Sequence, residues 1–184
     1  FTFEEDAQRR DFTINGLFYD PIEETILDCV QGLHDIEIKV LRTIGPAYER
    51  FQEDRLRVLR ALRFSHALSF PIQEETYAAM KEFASSVPLH VSGERIWDEL
   101  SKMNSLGVLK EAFFSMVPLG LMQAIFPCFT SDREERIALL ERGSFALPVA
   151  LSLLFYDEIP FSYCAMERFH IAHDERLVME QFQI

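Results

Sequence analysis

The sequence has 184 residues, which suits one domain or two small ones, and 48% of them are hydrophobic, enough for a sizeable core. Its net charge of −12 argues against a protein that binds nucleic acid over its whole surface. No apolar run approaches the roughly 20 residues needed to cross a bilayer, and we expect no secretory signal.

The three cysteines, Cys29, Cys128 and Cys164, lack the C-x-x-C spacing of zinc and redox sites. Their odd number and scattered positions favour a reducing compartment, and hence a cytoplasmic protein without a disulfide framework. Cys29 falls in a predicted strand, where we expect a small buried hydrophobe. Because the first residue is Phe1 rather than Met, we expect a fragment or a processed piece of a longer chain.

The first 45 residues predict a small α/β region. Phe12–Tyr19 is rich in β-formers, Asp20–Pro21 is a turn signal, and Thr25–Asp28 returns as the partner strand. A helical turn over Leu33–Lys39 and a short extended segment over Val40–Ile44 follow. These elements predict a β-hairpin with short additions.

From residue 46 onward the separators are mostly prolines and the segments between them are amphipathic, which predicts an all-helical region. Ser92 is a typical N-cap residue, and together with Pro88 it should bracket a loop. The predicted helices are Ala47–Gln52, Glu53–Phe64, Gln73–Ser85, Glu94–Lys102, Gly107–Met116, Leu119–Phe126, Asp132–Arg142, Phe145–Tyr156, Phe161–Phe169 and Asp174–Phe182. The fold class is therefore mainly α, with a short N-terminal hairpin.

The segment Glu53–Phe64 has the most informative pattern. One face of the predicted helix is apolar and the other is charged, with Arg63 near its edge. The apolar face holds Leu56, Val58, Leu59 and Leu62, and the charged face holds Glu53, Asp54, Arg57 and Arg60. The segment contains four arginines and no lysine, which favours bidentate recognition of phosphates or base edges over an ordinary solvated face.

Asp54 and Arg57 are three residues apart, so on a helix their side chains could point the same way. They would present an acceptor beside donors, which complements the amino group and ring nitrogen of adenine and cytosine. Guanine and uracil would place acceptor against acceptor. The alternative is an ordinary intrahelical salt bridge, worth about 0.3–0.5 kcal/mol.

Four segments with distinctive residues follow one another along the chain: Arg9–Asn15, then Asp28 with Gly32 and Asp35, then Glu53–Phe64, and then Ser92–Leu100. They resemble the motifs of the class II tRNA nucleotidyltransferase and bacterial poly(A) polymerase family. Each motif alone is modest evidence, but four in order at matching spacing make a specific signal.

This resemblance implies an enzyme that adds C and A nucleotides to tRNA 3′ ends without a nucleic-acid template, with ATP, CTP and tRNA as partners. The alternative within the family is a poly(A) polymerase that adds A to RNA 3′ ends. The implied nucleotide-binding residues are Arg10 and Asp11 at the ribose, Asn15 of the same motif, Asp54 and Arg57 at the base, and Arg60 and Arg63 at the phosphates. Gly32 and Asp35 match a flexible element, and Ser92, Glu94 and Arg95 match a motif that braces the neck helices.

The resemblance divides the chain into the end of a catalytic head (1–45), a helical neck (46–116) and a helical body (117–184). The family's Gly-rich segment, and the Asp-x-Asp carboxylates that follow it and hold Mg²⁺, should lie upstream of Arg9 and are absent from this sequence. Because phosphoryl transfer relies on such metal ions, we expect this chain alone to be inactive. A smaller departure is Gly16, where the family usually has Ala.

Other features favour structural roles. His170 and His173 suggest a metal-dependent phosphohydrolase, but supporting ligands are missing and Asp174 is a typical N-cap. Asp28 and Asp35 lack a third oxygen ligand for a metal. Phenylalanines at helical spacing are expected in the core, namely Phe113, Phe114, Phe126, Phe129, Phe145 and Phe155.

A hypothesis of another class is a non-catalytic helical module that binds RNA or a protein.

Overall fold

The structure is a computed structural model that describes residues 2–127, 129, 134–138, 140, 146–155 and 169. The chain divides into two compact units, Phe1–Phe83 and Ala84–Ile184. The prediction of a mainly helical chain with a short N-terminal hairpin is confirmed. The three-part division into head, neck and body stays a prediction.

The first unit opens with helix α1 (Phe3–Arg9), which was not predicted from the sequence. Its start is fixed by a capping box: the Glu5 N–H donates to Thr2 Oγ1 (3.3 Å), and the Thr2 N–H donates to Glu5 Oε2 (3.1 Å). Three acidic residues lie in its first turn and Arg9 in its last, which suits the helix dipole. The signal was present in the sequence as T-x-x-E.

The predicted hairpin is confirmed, with β1 (Leu17–Asp20) antiparallel to β2 (Thr25–Asp28). Asp20 Oδ1 accepts the N–H groups of Ile22 (2.8 Å) and Glu23 (3.2 Å), which stabilises the turn. The first strand is shorter than predicted because Thr13–Asn15 forms a 3₁₀ turn. Cys29 follows β2 and is exposed, so the prediction that it is buried is wrong.

The predicted extended segment Val40–Ile44 pairs with two other parts of the first unit through isolated β-bridges. Thr43 forms an antiparallel bridge with Phe12, and Leu41 forms a parallel bridge with Ile72. Between the hairpin and this segment lies the short helix α2 (Gly32–Glu37).

The segment Glu53–Phe64 is not one helix, so that prediction is wrong at its N-terminal end. Helix α3 (Ala47–Glu53) ends at Asp54, which is extended with φ −146° and ψ 105°, and α4 (Leu56–Leu68) begins two residues later. The Asp54 side chain accepts the Leu56 N–H (3.1 Å), and this local bond competes with continuation of α3.

Helix α4 buries the predicted apolar face, and helix α5 (Glu74–Ala84) completes the elements of this region. The largest fully buried side chains here are Phe12, Leu41, Phe51, Leu59, Leu62 and Met80.

The second unit is helical within its described residues. Its helices are α6 (Val87–His90), α7 (Gly93–Ser105), α8 (Leu109–Met116), α9 (Leu121–Ile125), α10 (Glu134–Ala138) and α11 (Leu147–Leu154). Ser92 caps α7, since its side chain accepts the Arg95 N–H (3.5 Å), as predicted. Helix α6 lies where a loop was predicted; Pro88 in its first turn is compatible with a helix start.

The predicted aromatic core is confirmed for Phe113, Phe126, Phe129 and Phe155, which are buried. Phe114 is 40% exposed, so its placement in the core is wrong. The predictions for Phe145, His170, His173, Asp174 and the last helix lie outside the described residues. Within the described part of the chain, no helix is long and apolar enough to cross a membrane.

Candidate functional site

An open cavity of about 520 Å³ lies in the first unit, a size typical of small-ligand sites. It is lined by Arg9, Arg10, Asp11, Asn15, Asp54, Arg57, Arg60 and Phe64. Four arginines face two carboxylates, so the cavity is cationic within a chain of net charge −12. This charge favours an anionic ligand.

Six of the seven predicted site residues line this one cavity. The exception among the predicted residues is Arg63, whose guanidinium carbon lies 4.2 Å from the centroid of the Phe64 ring. Conversely, Arg9 and Phe64 line the cavity and were not predicted. Both had a sequence signal: Arg9 adjoins the predicted Arg10, and Phe64 follows Arg60 by one helical turn.

Asp54 and Arg57 reach the cavity from the junction between α3 and α4 rather than from one helix face. Asp54 is the extended residue that ends α3, and Arg57 lies in the first turn of α4. The Arg57 N–H donates to the Asp54 carbonyl (3.1 Å), which closes the junction. Asp54 and Arg57 line the same cavity, as the base-reading hypothesis requires. They do so from a turn between two helices, where one continuous helix was predicted.

The Arg57 guanidinium is held by acceptors from three other residues. Its Nη1 donates to the Arg50 carbonyl (2.8 Å) and to Glu53 Oε2 (2.8 Å), and its Nη2 donates to the Arg9 carbonyl (3.2 Å). The ion pair of Arg57 is thus with Glu53, not with Asp54. Among the described residues, these bonds use three of its five N–H groups, which leaves Nε–H and one Nη2 hydrogen for a ligand.

Asp11 and Arg60, which both line the cavity, form an ion pair. Arg60 Nε donates to Asp11 Oδ2 (2.7 Å), and Arg60 Nη2 lies 2.6 Å from the same oxygen. Asp11 Oδ1 accepts the Phe12 N–H (2.9 Å) and Asn15 Nδ2 (3.0 Å). The carboxylate therefore connects helix α4 to the 3₁₀ turn that carries Asn15.

Arg10 is held at the other side of the same turn. Its Nη1 donates to the Asn15 carbonyl (2.7 Å), its Nη2 pairs with Asp6 Oδ2 (2.9 Å), and its guanidinium carbon lies 4.3 Å from the centroid of the Phe18 ring. These contacts orient Arg10 along the cavity wall.

The motif residues of the hairpin and α2 are satisfied within the fold. Burial raises the pKa of Asp28, but the backbone N–H groups of Leu33, Val30, Gly32 and Gln31 more than offset it, so its pKa lies below 3.8.

Asp35 is buried, accepts the Thr13 hydroxyl (2.6 Å) and pairs with Arg42 (3.2 Å). Its carboxylate is therefore committed to structural contacts. Within the described residues, no group of three or more His, Cys, Asp and Glu side chains is arranged to hold a metal ion. These residues do not fit a Mg²⁺ site.

Comparison with known proteins agrees with this fold and site. Residues 1–42 match the family described as Poly A polymerase head domain, and residues 69–132 match the Probable RNA and SrmB-binding site of polymerase A. The CCA-adding enzyme of Streptococcus sanguinis is 38% identical over 141 residues, which cover 77% of this chain and 34% of the relative. Poly(A) polymerase I of Haemophilus influenzae is 32% identical over 135 residues, 73% of this chain and 30% of the relative.

Among solved structures, the Bacillus stearothermophilus CCA-adding enzyme in complex with CTP has a TM-score of 0.80 at 26% identity, covering 99% of this chain and 46% of that chain. Fold and cavity thus define a nucleotidyltransferase head followed by helices. The chain belongs to the family of tRNA nucleotidyltransferases and bacterial poly(A) polymerases. It spans about a third of the length of the curated relatives, 34% and 30% of the two described.

Proposed function

We propose that this chain selects the incoming nucleotide for CCA addition to tRNA 3′ ends, with ATP and CTP as its ligands. The observation that carries the proposal is the convergence of Asp54 and Arg57 on one cationic cavity. The relatives named CCA-adding enzyme support the reaction class.

Base selection follows from the hydrogen-bonding chemistry of the pair. The Asp54 carboxylate accepts the exocyclic amino group of adenine or cytosine, and an Arg57 N–H donates to the adjacent ring nitrogen. Guanine and uracil present a carbonyl to Asp54 and an N–H to Arg57, so both contacts become repulsive. Because Arg57 is held by the carbonyls of Arg50 and Arg9, its donors have a fixed direction before the base arrives.

The other arginines suit the triphosphate. Arg60 lines the cavity one helical turn beyond Arg57, and guanidinium groups bind phosphate oxygens in bidentate fashion. Arg63 remains a predicted phosphate ligand, although its guanidinium lies against Phe64. The Mg²⁺ that the reaction needs would be held by carboxylates other than those described. We also propose a cytoplasmic location for the enzyme.

The test is a titration of the chain with ATP, CTP, GTP and UTP by calorimetry. We expect ATP and CTP to bind and GTP and UTP to bind at least tenfold more weakly, since charged hydrogen bonds contribute about 1.5–3 kcal/mol. Asp54→Ala and Arg57→Ala should abolish this preference.

Arg55→Ala is the matched control, because it removes an arginine from the same junction. The Arg55 guanidinium donates to the Gln52 carbonyl and lies over the Phe83 ring instead of lining the cavity. Equal binding of all four nucleotides, or none, would contradict the proposal and favour a non-catalytic helical module that binds RNA or a protein.

Poly(A) addition is the second candidate, favoured by the similarity to Poly(A) polymerase I. Incorporation of CTP and ATP by the full-length protein on a tRNA lacking its CCA end separates the two. An enzyme that incorporates only A would rule out CCA addition while leaving the base-reading pair intact.

A further inference from the structure

Two carbonyl groups at the end of helix α1 accept guanidinium groups from later parts of the chain. The Gln8 carbonyl accepts Arg50 Nη1 (3.0 Å), and the Arg9 carbonyl accepts Arg57 Nη2 (3.2 Å). The last carbonyls of a helix have no partner within it, so side chains from elsewhere can satisfy them. Arg50 lies in α3 and Arg57 in α4, so both bonds connect the end of α1 to the junction beside the cavity.

The Arg50 side chain is held at two of its nitrogens. Its Nη1 donates to the Gln8 carbonyl, and its Nη2 pairs with Glu53 Oε1 (3.0 Å). The side chain is only 17% exposed, and its Nε is buried without a hydrogen-bond partner among the described residues. Because a buried donor without a partner costs stability, these contacts favour a role in positioning over a role in stability alone.

The Arg9 carbonyl differs from the other two acceptors that hold Arg57. The Arg50 carbonyl and Glu53 Oε2 both accept from Nη1, whereas the Arg9 carbonyl accepts from Nη2. The N–H groups that remain for a base are Nε–H and the second Nη2 hydrogen. The Arg9 carbonyl therefore fixes a nitrogen that would bond the ligand. Arg50 donates to the adjacent carbonyl and so fixes the end of α1 that carries this acceptor.

We propose that Arg50 is a positioning residue for base selection, whose guanidinium holds the end of α1 so that the Arg9 carbonyl directs Arg57 Nη2 toward the base. The inference rests on the proposed function for the role of Arg57. The described lining of the cavity does not include Arg50, so Arg50 acts through Arg57 and not on the nucleotide. Without the Arg50 guanidinium, Arg57 still keeps two acceptors at Nη1. The expected effect is therefore a weaker base preference and not its complete loss.

The first test compares the binding of ATP, GTP and inorganic tripolyphosphate to the wild-type chain and to Arg50→Met by calorimetry. We expect the ATP-to-GTP affinity ratio to fall about threefold, less than in Arg57→Ala, because one of three bonds to a charged group is displaced. Tripolyphosphate has no base, so its affinity should match that of Arg55→Met, the control that removes an equal charge from the same junction. An unchanged ratio in Arg50→Met, or an equal fall in Arg55→Met, would overturn the proposal.

A double-mutant cycle separates positioning from general destabilisation. In an Arg57→Ala background, Arg50→Met should lower ATP affinity no more than Arg55→Met does, because the residue through which Arg50 acts is gone. A loss specific to Arg50→Met in that background would show that Arg50 acts independently of Arg57.

Arg50→Lys replaces Arg50→Met in these measurements if the methionine variant does not fold. It keeps the charge but has one nitrogen in place of the two that reach the Gln8 carbonyl and Glu53. We expect the ATP-to-GTP ratio to fall about twofold in this variant. A wild-type ratio in Arg50→Lys would then overturn the proposal.

The last test needs no nucleotide, so it separates failure of this inference from failure of the proposed function. In ¹⁵N NMR spectra of the wild-type chain, the Arg57 Nη2 group should rotate slowly about its bond to Cζ, because the Arg9 carbonyl accepts one of its hydrogens. The rotation should be faster in Arg50→Met and unchanged in Arg55→Met. Equal rates in the wild type and Arg50→Met would overturn the proposal, whether or not the chain binds ATP. Faster rotation in Arg50→Met with equal binding of all four nucleotides would support the positioning role and contradict only the proposed function.

Discussion

Two regions of the first unit use charged side chains in opposite ways. In the cavity, Arg57 keeps two N–H groups for a ligand after its structural bonds are made. In the hairpin and α2 region, Asp28 and Asp35 accept donors from the fold itself and Gly32 packs against backbone. Residues that keep donors for a ligand would bind a nucleotide, whereas residues whose groups are satisfied within the fold stabilise the structure around the cavity. Both sets belong to the motifs that resemble those of the family.

The largest effect on stability should come from Gly32→Ala. A Cβ on Gly32 would meet the Thr13 carbonyl oxygen, a backbone atom that cannot rotate away, and would lie 3.0 Å from Leu17 Cδ2. We expect the free energy of unfolding to fall by about 2–3 kcal/mol, measured by urea denaturation. The preference for ATP and CTP should persist in the folded fraction of Gly32→Ala. Leu33→Ala, which changes an exposed neighbour, should lower the free energy of unfolding far less. Loss of the nucleotide preference with an unchanged free energy of unfolding would contradict a purely structural role for Gly32.

Gly16→Ala tests how this chain accommodates its departure from the family. The new Cβ would lie 2.5 Å from Val30 Cγ2 and 3.1 Å from Ile44 Cδ1. Overpacking of this kind costs about 1–2 kcal/mol. The double variant Gly16→Ala with Val30→Ala should lose less than the sum of the single losses, by about 1 kcal/mol in thermal or urea unfolding. Strict additivity would mean that Val30 is not the reason for glycine here.

Glu53→Gln should have a small effect on nucleotide affinity, below about fivefold. Glu53 bridges Arg50 (3.0 Å) and Arg57 (2.8 Å), but its side chain is 50% exposed, and exposed ion pairs contribute about 0–1 kcal/mol. The two backbone carbonyls still orient Arg57. Calorimetry with ATP and CTP checks this, and a loss as large as that of Arg57→Ala would show that Glu53, rather than the backbone, directs the guanidinium.

The smallest effect is a pH dependence from Asp28. Because its folded pKa lies below 3.8, its ionised form contributes stability above that value, and the contribution is lost as pH falls through the folded pKa. The stability difference between the wild type and Asp28→Asn should therefore be constant from pH 7 to about 5 and shrink below 3.8. Urea unfolding across this range measures it. A difference that grows on acidification would contradict the assignment of these backbone N–H donors to the Asp28 carboxylate.

Much of the fold was predictable because its signals are local. The hairpin is marked by Asp20 and the β-formers around it, the start of α7 by Ser92, and the buried face of α4 by apolar spacing. The errors have local causes as well. Helix α1 begins at the capping box of Thr2 and Glu5, which the prediction did not include. The helix breaks at Asp54 because the Asp54 side chain accepts the Leu56 N–H.

The sequence by itself determined which chemical groups the site has, namely a carboxylate and a guanidinium three residues apart, followed in the sequence by further arginines. It also contains the ordered motifs that place the chain in its family. Only the tertiary structure decided what directs them. Arg57 is held by the Arg9 carbonyl from 48 residues away, and Arg60 by Asp11 from 49 residues away. The physical reason is that hydrogen-bond direction depends on the position of the acceptor in space, which spacing along one helix does not specify.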